Sequence, residues 1–194
     1  MENTSIQWTN NTVNFWEGCE KVSAGCKYCY MFRLNEGRFD PRVVRRTSDA
    51  VFYQALKWKK PCQIFTNSLS DFFMKDADAW RGDAWEVIKK TPQHSWQILT
   101  KRTNLIIDRL PDDWDNGWNN VWLGASVENQ KCFYRAYDLA QVPAKRRFLS
   151  VEPLLEEVDL LAEVNGIRPI DYIDWVIIGG ESGNDYGEWK IPSL

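Results

Sequence analysis

Two features of the 194-residue sequence predict an α/β fold with a parallel sheet. Short apolar runs recur along the chain, and helical patterns follow them. The centres of these runs lie about 25 to 33 residues apart, which is the length of one strand-plus-helix unit. The runs are continuously apolar, as expected of strands that helices cover on both faces. An α/β sheet or barrel is the predicted fold class.

The predicted elements follow one another without a linker. A first strand is expected within residues 6–16 and an amphipathic helix over 48–60. The later strand and helix pairs are 62–67 with 76–90, 95–101 with 103–110, 120–128 with 129–140, and 146–152 with 153–164, before a last strand at 174–182. Because no Gly/Ser-rich or low-complexity tract divides the chain, we expect a single domain over residues 1–194.

Composition excludes several classes of protein. Hydrophobic residues make up 44% of the chain, enough for a buried core. The net charge of -3 argues against a protein coated in positive potential for duplex DNA. No apolar run is long enough to span a membrane, and the first residues do not resemble a signal peptide. We therefore expect a soluble, cytoplasmic protein that does not bind membranes.

Polar residues end each predicted strand at its carboxyl side. The tripeptide Ser-Val-Glu occurs twice, at 126–128 and 150–152, so two successive strands end with a carboxylate in the same place. Ligands of α/β sheets and barrels bind at the carboxyl ends of the strands. These ends are predicted to form one binding site, with Glu128 and Glu152 as candidate catalytic groups. A hydrolase built on the same two carboxylates stays open at this stage.

Three of the five cysteines, Cys19, Cys26 and Cys29, lie on the loop after the first strand. Their thiolates suit zinc or an iron–sulfur cluster, and unligated thiols are a third alternative. A structural zinc needs a fourth ligand, for which the candidates are Cys62, Cys132 and His94. Cys62 opens its strand at the opposite end, and Cys132 falls in a predicted helix. A 4Fe-4S cluster on three cysteines leaves one iron open for chemistry.

The cysteine motif resembles that of the radical S-adenosylmethionine enzymes. Their common motif is Cys-x3-Cys-x-aromatic-Cys, and Tyr28 matches its aromatic position. The segments "GCEKVSAGCKYCY", "FTNSLSDFF", "WQILTKR", "VWLGASVEN", "RFLSVEPL" and "WVIIGGESG" together resemble an uncharacterised family of phage and bacterial gene products that carries this motif. The resemblance extends from about Trp8 to Gly183.

The resemblance implies a partial (β/α)6 TIM-like barrel and a 4Fe-4S cluster on the three cysteines. S-adenosylmethionine would bind the open iron and be cleaved to a 5'-deoxyadenosyl radical, which attacks an unknown substrate. A phage setting favours a nucleic acid or a nucleoside as that substrate. The implied cofactor contacts are Tyr28 by motif, Asn67, Ser68 and Asp71 near the methionine part, Ser126 and Glu128 near the ribose, Gly179 and Gly180 near the adenine, and Glu152 facing cofactor or substrate.

Three departures from this pattern leave a second function open. Six residues lie between the first two cysteines, instead of the three of the common motif. Gly179-Gly180-Glu181 follows the last strand, whereas the Gly-Gly-Glu motif of the radical enzymes usually follows the second. The family also continues beyond "GGESG", whereas this chain stops at Leu194, so we expect a truncated carboxyl terminus. An open barrel edge would need a protein partner or a second copy to cover it. The alternative is a non-catalytic phage or host-interaction binding module with zinc or no metal.

Overall fold

A parallel six-stranded sheet forms the centre of the molecule. The computed structural model describes residues 4–35 and 37–180. The strands, in chain order, are β1 (Asn11–Val13), β2 (Trp16–Glu17), β3 (Arg45–Arg46), β4 (Gln63–Thr66), β5 (Ser95–Thr100), β6 (Val121–Ser126), β7 (Arg146–Val151) and β8 (Trp175–Ile178). The large sheet has the order β1-β4-β5-β6-β7-β8, and every neighbouring pair in it is parallel. The predicted α/β class with a parallel sheet is confirmed. Within the described residues β1 and β8 are its two edges and do not pair with each other.

A small antiparallel ladder joins β2 to β3, with Trp16 opposite Arg46 and Glu17 opposite Arg45. The segment between these strands contains all three clustered cysteines. The ladder therefore closes the base of a long loop, which begins shortly after β1 and carries the three cysteines.

The helices are α1 (Tyr30–Asn35), α2 (Asp49–Phe52), α3 (Asp78–Lys89) and α4 (Tyr134–Gln141). Single 3-10 turns occur at Ala24–Cys26, Gln54–Lys57, Lys75–Ala77, Thr103–Leu105, Ile107–Arg109, Gln130–Cys132 and Pro169–Tyr172. α3 confirms the helix predicted over 76–90, and a 3-10 turn with α4 covers 129–140. The predicted helix at 103–110 is two 3-10 turns instead. Among these helices, none in the described part of the chain is long and apolar enough to cross a membrane.

The helix predicted over 48–60 is shorter than expected. Only α2 is α-helical there, and a 3-10 turn follows it. Four apolar residues of this segment could form the buried face of such a helix. Phe52 and Ala55 are buried, but Val51 and Leu56 are exposed. Ser48 stands at the N-cap position without a side-chain capping bond.

The helix predicted over 153–164 is wrong, because tertiary hydrogen bonds hold this segment in an irregular path. Leu154 N donates to Gly179 O at 2.8 Å, and Leu155 N donates to Glu128 O at 3.0 Å. Farther along, Asp159 N donates to the Gln130 side chain at 2.8 Å. The apolar residues that suggested a helix instead pack singly against the core, among them Leu154, Val158 and Leu160.

The two faces of the sheet have different neighbours. Ile64, Ile98 and Leu123 belong to the main core, which also includes apolar residues of α3 and α4. The other face carries Phe65 and Phe148, whose rings pack against Trp8 with centroids 4.6 and 6.3 Å away. This second face continues upward into a cavity at the carboxyl ends of the strands.

Candidate functional site

A cavity of about 250 Å³ opens at the carboxyl edge of the sheet. One water molecule has a share of about 30 Å³ in the liquid, so the cavity has room for more than a single ion. Its walls include predicted residues from widely separated parts of the chain, namely Cys19, Cys26, Tyr28, Cys29, Asn67, Ser68, Asp71, Ser126, Glu152 and Gly180. Of the other predicted residues, Glu128 and Gly179 lie behind this wall, and Glu181 falls outside the described residues.

The cysteine loop begins with a tight turn at Gly18. Its φ of +94° is a conformation that side chains rarely adopt, and a Cβ atom there would lie 2.4 Å from the Val43 carbonyl oxygen. Gly18 N donates to Leu69 O and Cys19 N to Pro41 O, which ties the loop to two neighbouring segments. This turn directs Cys19 toward the cavity instead of continuing β2.

The second and third cysteines follow from a 3-10 turn that leads into α1. Cys26 ends the turn Ala24–Cys26, and Cys29 N donates to Cys26 O at 3.4 Å. Phe32 N then donates to Cys29 O at 3.2 Å, so Cys29 lies directly before α1. The spacing of two residues therefore places both thiols on the same side of the loop, where they line the cavity.

Glu128 supports this loop from below instead of facing the cavity. Its carboxylate is fully buried, accepts from Arg135 Nη1 at 2.8 Å and accepts from Gly25 N at 3.3 Å. Burial acts to raise the pKa of Glu128, but the positive charges of Lys101 and Arg135 help to hold that pKa below its ordinary value. The carboxylate is thus ionised and already bound by the protein. Its predicted catalytic role stays a prediction without structural support.

The thiols of Cys19 and Cys29 are protonated in the absence of a metal. Burial and the negative charge of Asp71 raise the pKa of Cys19 to about 12, although Arg102 acts in the opposite direction. Burial likewise raises the pKa of Cys29, and the neighbouring Cys26 adds to this effect. Each thiol that ligates a metal here must release its proton, so binding and proton release are coupled.

Asn67 and Ser68 follow β4 and are held in place for contact with a ligand. Asn67 has a φ of +58°, and its side-chain oxygen accepts from Phe15 N at 2.8 Å. The amide nitrogen Nδ2 of this residue is buried without a hydrogen-bond partner in the described part of the protein. Unpaired buried donors are rare. Asn67 lines the cavity, but this nitrogen has almost no accessible surface and lies inside the cavity wall.

Sequence reasoning missed the roles of Lys101 and Arg102, which follow β5. Arg102 reaches back to the cysteine loop, where it donates to Glu20 O at 3.0 Å and approaches Cys19 Sγ at 3.9 Å. Lys101 also lines the cavity, and its charge acts on Cys29 and Glu152. Both directly follow a strand, as Asn67 does, and this position is the signal that could have identified them.

Asp71 fixes the position of Arg102. Its carboxylate accepts from Thr100 Oγ1 at 2.7 Å, Lys101 N at 3.0 Å, Phe73 N at 3.0 Å and Arg102 Nη1 at 3.3 Å. These bonds use most of the carboxylate's capacity to accept. Asp71 is in the cavity wall as predicted, and its bonds stabilise the wall.

Ser126 and Ser150 confirm that equivalent positions of two strands converge. They are partners in the register of β6 and β7, and both line the cavity. Beyond them lies Glu152, whose pKa is raised by burial while Lys101 acts against the rise. Gly179 lies against this carboxyl, because a Cβ atom there would be 2.9 Å from Glu152 Cδ.

None of the candidate fourth zinc ligands lines the cavity. Cys62 Sγ lies 3.3 Å from His94 Nδ1 at the amino ends of β4 and β5, as predicted. Cys132 is buried in a 3-10 turn near Glu128, not in an α-helix. None of the five cysteines forms a disulfide. Among the described residues, no three His, Cys, Asp or Glu side chains form a group that could hold a metal ion.

The fold and the site define an α/β protein with a cavity and three clustered thiols at the carboxyl edge of its sheet. A family profile described as "Protein of unknown function (DUF5131)" matches residues 3–190, and the chain belongs to this family. No curated protein and no solved structure matches the chain.

Proposed function

We propose that this chain is a radical S-adenosylmethionine-type enzyme in which Cys19, Cys26 and Cys29 hold a 4Fe-4S cluster. One observation carries the proposal: three thiols from one loop line the same cavity as polar residues from the carboxyl ends of four different strands, β4 to β7. When bound, such a cluster supplies the electron that cleaves S-adenosylmethionine to a 5'-deoxyadenosyl radical.

The strand order supports the corresponding barrel. A (β/α)6 barrel adds its strands in sequence, and here the parallel strands are neighbours in chain order apart from the β2–β3 ladder. We propose that the sheet is the curved wall of such a partial barrel, with the cavity at its carboxyl mouth.

The three cysteines suit a cluster better than a single zinc ion. A structural zinc takes four protein ligands, and the candidates for the fourth, Cys62, Cys132 and His94, do not line the cavity. A 4Fe-4S cluster is held by cysteine thiolates, each on its own iron. Three cysteines also leave one iron without a protein ligand, which is where the cofactor would bind.

The protein's own residues would bind and orient the organic ligand. Ser126 and Ser150 line the cavity and present hydroxyls from adjacent strands. Lys101 supplies a positive charge that acts on the half-buried Glu152. Of the two predicted catalytic carboxylates, Glu152 alone lines the cavity. It is the one we propose to exchange a proton with, or position, the substrate.

Aromatic residues in the cavity wall support a nucleoside or nucleic-acid substrate. Trp8, Tyr28 and Phe65 all line the cavity. Flat aromatic rings bind bases by stacking, which is worth about 1–3 kcal/mol per base. This part of the proposal depends on the cavity admitting a base beside the cofactor.

The first experiment is an analysis of iron, sulfide and zinc in protein purified without oxygen. We expect about four irons per chain, the content of one 4Fe-4S cluster, and loss of most of this iron in Cys29→Ala. Cys132→Ala is the matched control, because Cys132 is also buried but does not line the cavity. It should keep its iron. Cleavage of S-adenosylmethionine by the reduced wild-type protein is the second readout.

Two results would contradict the proposal. Protein without iron in both wild type and Cys29→Ala would leave a binding module with zinc or free thiols as the function. Iron that persists in Cys29→Ala and falls in Cys132→Ala would place the cluster elsewhere in the chain.

A further inference from the structure

Cys62 and His94 meet at the amino edge of the sheet, on the opposite side from the cysteine loop. Cys62 directly precedes β4 and His94 directly precedes β5, and Ser95 N donates to Cys62 O at 2.9 Å. Cys62 Sγ lies 3.3 Å from His94 Nδ1 and accepts from Asn11 Nδ2 at 3.2 Å. The sulfur thus contacts one nitrogen atom from β1 and one from the residue before β5.

The ring of His94 is oriented so that it can accept the thiol proton. Its Nε2 lies 3.1 Å from the Trp58 carbonyl oxygen, which can only accept, and 3.3 Å from Gln93 Nε2. Gln93 Nε2 donates to the same carbonyl at 3.1 Å, so we assign the ring hydrogen to His94 Nε2. Nδ1 then directs its lone pair at Cys62. The ring is 1% exposed, and burial lowers the pKa of His94, which keeps the imidazole neutral at neutral pH. A base beside a nucleophile, oriented by a third group, is the arrangement that activates a thiol.

We propose that Cys62 is a nucleophilic thiol activated by His94, and that it reacts with small electrophiles of the hydroperoxide class. The thiol transfers its proton to Nδ1, and the Asn11 amide stabilises the thiolate by its hydrogen bond. Cys62 is half-buried, so part of the residue is exposed at the surface. This site is independent of the cluster proposed for the other edge.

The reaction with hydrogen peroxide balances without a further partner. The thiolate attacks one peroxide oxygen, and the S–O bond forms as the O–O bond breaks. The leaving hydroxide takes the proton from the imidazolium and departs as water. Sulfur is oxidised to sulfenic acid while the peroxide is reduced.

The other cysteines lack this activation. Burial and the charge of Glu128 raise the pKa of Cys132, which makes this residue an internal reference for an inert thiol. Burial also raises the pKa of Cys19 and Cys29. Cys62 differs from them in having a neutral imidazole in contact with its sulfur.

The test is a short pulse of iodoacetamide on the folded full-length chain at neutral pH, with each cysteine quantified by mass spectrometry. A positioned base that takes up the proton of the reacting group speeds reactions by about a hundredfold or more in enzymes. We therefore expect Cys62 to react at least about threefold faster in the folded chain than in guanidinium. A pulse of hydrogen peroxide followed by dimedone should label Cys62 as the sulfenic acid.

His94→Gln should bring the Cys62 rate down to that of the denatured chain or below it, while Cys132 reacts as in wild type. An unchanged Cys62 rate in this variant would overturn the proposal, as would dimedone labelling that omits Cys62. If Cys132 becomes reactive in His94→Gln, the fold has been disturbed, and Asn11→Ala decides instead. That variant should slow Cys62 by a smaller factor, and an unchanged rate there also overturns the proposal.

Discussion

The two edges of the parallel sheet are built from different residue types. At the carboxyl edge the strands end in Asn67, Lys101 and Glu152, which line a cavity. At the amino edge the strands begin with large aromatic side chains, since tryptophan is the first or second residue of β5, β6 and β8. Trp122 and Trp175 pack edge to face with centroids 5.9 Å apart. The comparison teaches that one edge of the sheet is packed for stability, which leaves the other edge free to carry polar groups and a cavity.

Trp96→Ala should show the largest effect, because it removes the best-packed side chain at the amino edge. Trp96 is fully buried, stacks on Phe15 at 5.8 Å and donates to Thr91 Oγ1 at 3.0 Å. We expect the free energy of unfolding to fall by about 4 kcal/mol, measured by denaturant titration. Ile107→Ala is the control, since Ile107 is 60% exposed and its loss should change stability by less than about 0.5 kcal/mol. Equal losses of unfolding free energy in Trp96→Ala and Ile107→Ala would contradict the view that the amino edge is packed for stability.

The next effect concerns Glu128, a group at the carboxyl edge to which we assign a structural role. Arg135→Met leaves the buried Glu128 carboxylate without its ion pair, which should cost about 3 kcal/mol. The double variant Glu128→Gln/Arg135→Met should lose less than the sum of the two single changes, because no unpaired charge remains buried. The exposed pair Lys90–Glu86, with atoms 3.4 Å apart, is the control, and Lys90→Ala should have little effect on stability. Additive losses in the double-mutant cycle would remove the structural role of Glu128.

The smallest effect is a pH dependence contributed by His94. Burial lowers its pKa in the folded protein below the ordinary value of 6.5, so unfolding takes up a proton. The stability that the neutral ring contributes is fully present above pH 6.5 and is lost as the pH falls through the lower folded pKa. His94→Gln should therefore flatten the slope of unfolding free energy between about pH 7 and pH 5. His94 is the single histidine of the chain. An identical slope in wild type and variant would contradict the prediction.

The sequence predicts the strands well because a strand buried on both faces leaves a continuous apolar run. The positions of Cys19, Cys26 and Cys29 at the cavity also follow from sequence, since the loop after a parallel strand must lie at its carboxyl end. The helix over 153–164 could not be excluded in this way. Its apolar spacing fits a helix, and only bonds to distant residues such as Gly179 and Gln130 show that it does not form.

The role of Glu128 was hidden for a related reason. Glu128 and Glu152 occupy the same place in the Ser-Val-Glu repeat, and sequence gives them equal standing. They differ in the structure because Arg135, the second residue of α4, forms an ion pair with Glu128. Arg102 was missed for the same kind of reason, because the residue that it contacts in the cysteine loop lies 82 positions away in the chain. Pairings of this kind depend on tertiary contacts that no local pattern encodes.

The order of strands in the large sheet bears on how the protein is made. Each strand from β5 to β8 pairs with the one just before it in the chain, and β4 pairs with β1. Such a sheet needs no late strand to insert between two earlier ones, so it can grow from its amino-terminal side as the ribosome releases each unit. The ends of β1, β4 and β5 are then in place before the later strands emerge. On this account the cysteine loop and the network around Asp71 assemble early, and the nascent chain has the thiol cluster before its cavity is complete.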